Sequence, residues 1–405
     1  MDTKLPSQTS ILSVPYILLC IIGLCSMLGS SLLQPILSIY AKELGASALN
    51  VGFIVSGYWI TRFIMEIPAG FLSARFGYYR PLVIGLFIST VGCFLSALAV
   101  DPLTLMLSRA ITGIGAPLFF GVSMTLVVDI FDERTRGSAM GVFQGIEFAG
   151  SILGSAISGF IVASVGFKTT FIVSGLISAI SVVLIALPPY IRKMSRKRNA
   201  DAHLLRLSII ARVLGRRNLL IVSSSIFAEF VMTSGVLYTM YPIFAKERLG
   251  LTLQEIGLLM GARSAGFTVS LLFVGYVSDR VGRRLVLLAG LGLTGLLVLI
   301  LSSMSMVTPI AAIIALIGIS TGAIWIVCPV LAAGGIPTQE RGPAIGAFRT
   351  FMDLGSVFGP ILISASQEVF GFNACFYLSS LLLLVNILPA IGIREATKGS
   401  MDNER

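Results

Sequence analysis

Twelve apolar stretches run through the chain, at 14–40, 49–71, 81–100, 103–129, 138–164, 168–190, 218–245, 255–277, 285–306, 308–333, 343–367 and 373–393. Each is about as long as the ~20 residues that cross a bilayer. Nothing else in the sequence constrains the fold as strongly. In hydrocarbon a backbone must satisfy its own hydrogen bonds, so stretches of this kind fold as helices. The remaining residues are too few and too apolar to cover a soluble fold. Charged residues are 12% of the 405 and hydrophobic ones 56%, against ~25% charged in soluble domains. A soluble enzyme is excluded, and so is a disordered chain, which needs low hydrophobicity and high charge. The first stretch is too long for a signal-peptide core and lacks a small-residue cleavage site, so it reads as a retained helix. The expected fold class is an all-α polytopic membrane protein with twelve transmembrane helices.

A formal charge of +10 invites a nucleic-acid reading, but such readers gather their basic residues into one exposed patch. Here 21 of the 29 Lys and Arg residues fall at the termini and in alternate loops on one side of the apolar stretches. The opposite loops hold four (Lys42, Lys168, Lys246 and Arg248), and four more (Arg62, Arg109, Arg263 and Arg349) lie within stretches. That bias orients a multi-pass protein of the cell membrane with both termini cytoplasmic, and no nucleic-acid partner is expected. The five cysteines sit in apolar segments without a CxxC, and His203 is the only histidine. Disulfide frameworks, zinc sites and serine–histidine hydrolysis are therefore disfavoured. No GxxxxGK[ST] phosphate loop occurs. The expectation is no enzyme, no cofactor and no metal.

One long connection, 191–217, opens with Arg192, Lys193, Arg196, Lys197 and Arg198 and continues through Leu204, Leu205, Leu207 and Ile210. It reads as a basic amphipathic linker resting on anionic lipid. It also divides a repeat. Shifted by 205 residues, eleven glycines of the first half fall on glycines of the second, among them Gly70, Gly77, Gly150 and Gly154 on Gly275, Gly282, Gly355 and Gly359. With 42 glycines in 405 residues, about two such matches would arise by chance. The chain therefore reads as an N-terminal six-helix half (1–190), the linker (191–217) and a C-terminal six-helix half (218–405). Transporters are commonly built from parallel repeats of this kind.

After the second stretch stands Gly70-Phe-Leu-Ser-Ala-Arg75-Phe-Gly77-Tyr-Tyr-Arg80, and after the eighth Gly275-Tyr-Val-Ser-Asp279-Arg280-Val-Gly282-Arg283-Arg284. The glycines suit a tight turn and close helix approach, and Asp279 suits a neighbouring helix N-terminus. Duplication at one spacing argues against a loop that merely fixes topology. In these residues the chain resembles the major facilitator superfamily, whose G-x-L-x-D-R-x-G-R-[RK] loop is similar to Gly275–Arg284. Arg109-Ala-Ile-Thr-Gly113-Ile-Gly115 resembles its R-x-x-x-G-x-G element, and Asp129 with Asp132–Gly137 its loop between helices 4 and 5. Pro35–Gly45 looks like the opening of the drug:proton antiporter branch. Two positions depart from the pattern. Ala74 replaces the first loop's aspartate, and Ser155 stands where the antiporter glycine motif (Gly141, Gly150, Gly154, Gly159) has proline. The repeat of that motif keeps its proline as Pro360, beside Gly355 and Gly359. The resemblance implies two pseudo-symmetric halves, gating loops built on Gly70, Arg75, Gly77, Asp129, Gly275, Asp279, Arg280, Gly282 and Arg283, and helix packing through Gly150, Gly154, Gly355, Gly359 and Pro360.

Ionisable groups within a bilayer are costly and mark function by default. Arg62 with Glu66, and Arg349 with Asp353, stand four apart and can neutralise each other locally. Glu147, Glu229, Arg109 and Arg263 have no such neighbour. Both glutamates fall near the middle of their stretches, where transporter sites form, and a carboxylate there must take up a proton or find a cation. Phe119, Phe148, Phe230, Tyr238, Tyr241 and Trp325 are candidates to meet a lipophilic cation through their ring faces, with packing as the plainer reading. The leading expectation is proton-coupled export of a small lipophilic or cationic compound by alternating access, with a monomer as the working unit and lipid, substrate and proton as its partners. Proton-coupled uptake of a sugar or organic anion is the alternative. A non-transporting receptor or assembly factor is a third reading, for which buried carboxylates serve no purpose.

Overall fold

The computed structural model describes residues 11–132, 135–188, 192, 215–334, 336 and 338–393, without the side chains at 338, 339 and 341–343. The amphipathic linker expected at 191–217 falls almost wholly outside the described residues. Every element among the described residues is helical. The order is α1 Val14–Glu43, α2 Ala48–Phe76, α3 Tyr79–Ala97, α4 Pro102–Ile130, then the 51-residue run Arg136–Ala186, which Gly166 (φ 78°) breaks into α5 and α6. Next come α7 Arg217–Glu247, α8 Leu253–Val281, α9 Arg283–Leu301, α10 Val307–Ala333, α11 Thr338–Phe370 and α12 Phe372–Ile391. Among the described residues the twelve apolar stretches thus become twelve helices. The ninth is shorter than expected, because Ser302–Met304 close it with turn hydrogen bonds.

Local chemistry accounts for several ends. Asp101 caps α4 by accepting from the Thr104 N–H at 2.9 Å, while the Asp101 N–H reaches Thr104 Oγ1 at 3.3 Å. Pro102 follows at the first helical position, where its missing N–H costs nothing. Thr252 and Glu255 form the same reciprocal box before α8. All six glycines with left-handed φ among the described residues form three pairs 205 apart: Gly45 and Gly250, Gly77 and Gly282, Gly166 and Gly371. The repeat read from glycine spacing is therefore a repeat of backbone corners.

By packing, the chain forms two compact units. The first is Met1–Ala202 with Ala245–Gly261, and the second is His203–Phe244 with Ala262–Arg405. In the first, α5 lies close along α1. A Cβ at Gly150 would come 2.6 Å from the Leu24 carbonyl oxygen, and one at Gly154 2.5 Å from that of Leu28. Ser158 Oγ donates to the Leu32 carbonyl and Tyr16 OH to that of Ala139, both at 2.6 Å. Ala245–Gly261 joins this unit through Lys246, whose Nζ is 2.9 Å from Glu43 Oε1. In the second unit, α11 lies along α7 at the repeat-related glycines. A Cβ at Gly355 would come 2.6 Å from the Phe227 carbonyl, and one at Gly359 2.7 Å from Ser234 Oγ. Backbones that approach this closely are the usual means of helix association in lipid, where apolar side chains gain little from leaving one apolar medium for another. Large apolar side chains such as Leu272, Phe273 and Ile67 are left exposed on the outer faces, as a lipid-facing surface requires.

Candidate functional site

The second unit holds a connected polar chain in an otherwise apolar interior. Glu229 sits near the end of the first α-helical part of α7, Arg217–Phe230. Four residues on, the Thr233 hydroxyl donates to Glu229 Oε1 at 2.7 Å. From α8, Arg263 Nη2 donates to Thr233 Oγ1 at 3.4 Å, and Arg263 Nη1 donates to Tyr238 OH at 2.5 Å. The guanidinium carbon also lies 4.9 Å from the centre of the Tyr238 ring. Glu229 is 3% exposed and Arg263 6%. By sequence spacing each lacks an ionic neighbour; the structure joins the two through a hydroxyl. The signal that could have shown half of this, Thr233 four residues after Glu229 on one helix face, was present in the sequence.

The chain is incompletely satisfied. Glu229 Oε2 and Arg263 Nε are buried with no hydrogen-bond partner among the described residues. An unmet buried polar atom costs of order 1–3 kcal/mol, so both atoms are places where a proton or a substrate group gains most. In the same unit, Phe230 and Trp325 lie 5.8 Å apart between ring centres, and Phe267 lies 6.3 Å from Trp325. These three rings form one aromatic cluster between α7, α8 and α10.

For other aromatic candidates the structure agrees with the plainer reading of packing. Phe119 and Tyr241 are fully buried packing residues, and the cation on the Tyr238 ring is the protein's own Arg263. In the first unit, Arg109 (8% exposed) stacks 5.2 Å from the ring centre of Tyr58 on α2. Glu147 (3% exposed) lies against α1, where a Cβ at Gly23 would come 3.2 Å from its Cγ. These two groups therefore face different helices. Arg62 stands 5.0 Å from the Trp59 ring centre, and Glu66 beside it is half-buried. Asp353 is buried and Arg349 exposed.

The inner turns also differ from expectation. A Cβ at Gly70 or Gly275 would meet nothing within 4 Å, so these glycines make no close helix approach in this structure. The turns instead need Gly77 and Gly282, with φ of 77° and 100°. Asp279 Oδ1 accepts from Arg283 Nη2 at 3.1 Å, across the break at Gly282, where a helix N-terminus was expected as its partner. Arg280 and Arg75 lie over the rings of Tyr276 and Phe76. Where Ala74 has removed the aspartate, Tyr78 at the position of Arg283 donates its hydroxyl to Asp129 of α4. Each turn is thus held by a polar bond, but of different kinds.

An uncharacterised MFS-type transporter of Methanocaldococcus jannaschii is 23% identical over 89% of this chain and 93% of its own length. The quinolone resistance protein NorA of Staphylococcus aureus is 29% identical over 39% of this chain and 40% of its own. The solved structure of a bacterial homologue of the human lysosomal transporter Spinster superposes with a TM-score of 0.78 at 12% identity, covering 94% of this chain and 97% of that one. The family model for the Major Facilitator Superfamily matches residues 19–252 and again 227–403, and the chain belongs to that superfamily of membrane transporters.

Proposed function

We propose that this transporter exports a small lipophilic or cationic compound in exchange for protons, with Glu229 as the group at which proton and substrate compete. The observation that carries this reading is the half-satisfied carboxylate. One Glu229 oxygen is held through Thr233 toward Arg263, and the other is buried with no hydrogen bond among the described residues. Such a group is stable when it carries a proton, or when a cationic compound supplies the opposite charge. Proton and compound satisfy different states of the site, and a ligand that binds one state better shifts the equilibrium toward it. Partial similarity to a quinolone resistance protein supports the substrate class. The transport cycle involves no covalent chemistry, uses a single chain, and runs in the cell membrane with both termini inside. Glu147 and Asp353 are further buried carboxylates that could serve the same pathway, together with Arg62, Glu66, Arg109 and Arg349.

A second reading, uptake of an organic anion, is favoured by Arg109 and Arg263, both buried with Nε unbonded. Everted vesicles with an imposed proton gradient, screened against lipophilic cations and small organic anions, separate the two. Glu229→Gln keeps the shape and removes the titration; gradient-driven accumulation is expected to disappear while exchange of bound substrate persists. Uphill transport with an unchanged pH profile in Glu229→Gln refutes the assignment, and Glu147 and Asp353 then follow as candidates.

A further inference from the structure

Between Val231 and Met240 the backbone of α7 is a π-helix, with each bond reaching five residues back, where such turns usually occur singly inside α-helices. The Tyr241 N–H bonds to the Val236 carbonyl, and the Thr239 hydroxyl reaches the Ser234 carbonyl at 2.6 Å, both five residues earlier. The wider winding changes which side chains share a face. At 3.6 residues per turn, residues five apart on an α-helix point about 140° away from each other. When the bonds themselves run five apart, those residues stand nearly one above the other. Thr233 and Tyr238 are such a pair, and the single guanidinium of Arg263 bonds both. Its donors are fixed in a planar fork, which cannot reach two hydroxyls on opposite sides of a helix. The winding and the fork therefore match each other.

We propose that Arg263 is a positioning residue that clasps Thr233 to Tyr238 and so holds α7 in its wide winding. When the clasp opens, 231–240 tightens toward an α-helix and Tyr238 turns away from Thr233 and Glu229. The shape of the site beside the carboxylate is then set by a guanidinium on the neighbouring helix. Nothing in this requires Glu229 to titrate, so it stands or falls separately from proton coupling. The competing cause of the winding is packing on α11, where a Cβ at Gly235 would come 2.5 Å from the Gly359 carbonyl.

The two causes separate by measuring the length of α7. In the full chain in lipid nanodiscs, with its own five cysteines replaced, spin labels are placed at Leu220 and Glu247, both exposed near the ends of α7. A control pair sits at Ile17 and Lys42 on α1. Ten residues gain about half a turn on tightening, which lengthens the helix by roughly 3 Å at 5.4 Å per turn. End-to-end distance within one helix is insensitive to rigid movement of that helix. Tyr238→Phe, which removes one hydroxyl, and Arg263→Lys, which keeps the charge but loses the fork, are each expected to lengthen the α7 pair by that amount and leave the α1 pair unchanged. Thr233→Ser, which keeps the hydroxyl, should retain the wild-type distance. An unchanged α7 distance in both Tyr238→Phe and Arg263→Lys overturns the proposal and assigns the winding to the α11 contact. A wild-type distance in Arg263→Lys alone also overturns it, since charge and not the fork would then be enough.

Discussion

Replacing Gly355 by alanine tests the close approach of α11 to α7 at the cost of a single methyl group. The added Cβ would lie 2.6 Å from the Phe227 carbonyl oxygen and 2.8 Å from Phe230 Cβ. Ordinary contact begins near 3.4 Å, so the helices must part by several tenths of an ångström, and the obstructing atom is backbone that cannot swing aside. Overpacking of this kind costs about 1–3 kcal/mol. Alanine's better helix propensity returns up to about 1 kcal/mol, which leaves a net loss centred on about 1 kcal/mol. The same helix supplies the control. At Gly346 a Cβ meets nothing within 4 Å, so Gly346→Ala gains propensity without strain and should be neutral or slightly stabilising. Reversible unfolding in mixed micelles, read by helical signal against denaturant mole fraction, compares the two at matched lipid content. Equal midpoints for Gly355→Ala and Gly346→Ala refute the claim that this seam sets the spacing of the helices.

Asp279→Asn breaks an exposed ion pair and should cost under about 1 kcal/mol of stability yet slow transport in vesicles, while Ala74→Asp should do little; equal rates for wild type and Asp279→Asn remove the gating role. Tyr78→Phe removes a hydroxyl donated to a carboxylate, a bond worth about 1.5–3 kcal/mol, and should speed hydrogen exchange in the α2–α3 turn, whereas Tyr79→Phe leaves that turn as it is.

The fold was legible because the solvent dictates most of it. A helix that must satisfy its backbone in hydrocarbon announces itself by length, and the gap between the fifth and sixth stretches (164 to 168) brackets Gly166, where the run breaks. The site was legible only by residue type. Glu229 and Arg263 stood out as charges in apolar stretches, but their connection depends on Thr233, a residue with no charge to flag it, and on the π-helix. Winding leaves no trace in α7, where apolar residues occur all round and no periodicity is left to read. On α-helical spacing, Tyr238 lies about 180° from Glu229, so the sequence argues against the arrangement that the structure shows. The inner turns were misread for a similar reason. Asp279 four residues before Arg283 is an ordinary local pair, where a neighbouring helix N-terminus was the expected partner.

The three pairs of left-handed glycines 205 residues apart show that both halves turn the same corners, yet the charges buried within the helices do not follow. The counterpart of Glu229 is Leu24, that of Arg263 is Tyr58, that of Glu147 is Met352, and that of Arg109 is Ile314. Bending at a corner only glycine can occupy is a property of the backbone and comes in duplicate; holding a proton or an ion is a property of one side chain and here comes once. Two frames of the same shape thus carry different electrical contents. A charge arriving in the protein interior therefore meets a different field in each half, one that the backbone repeat does not cancel.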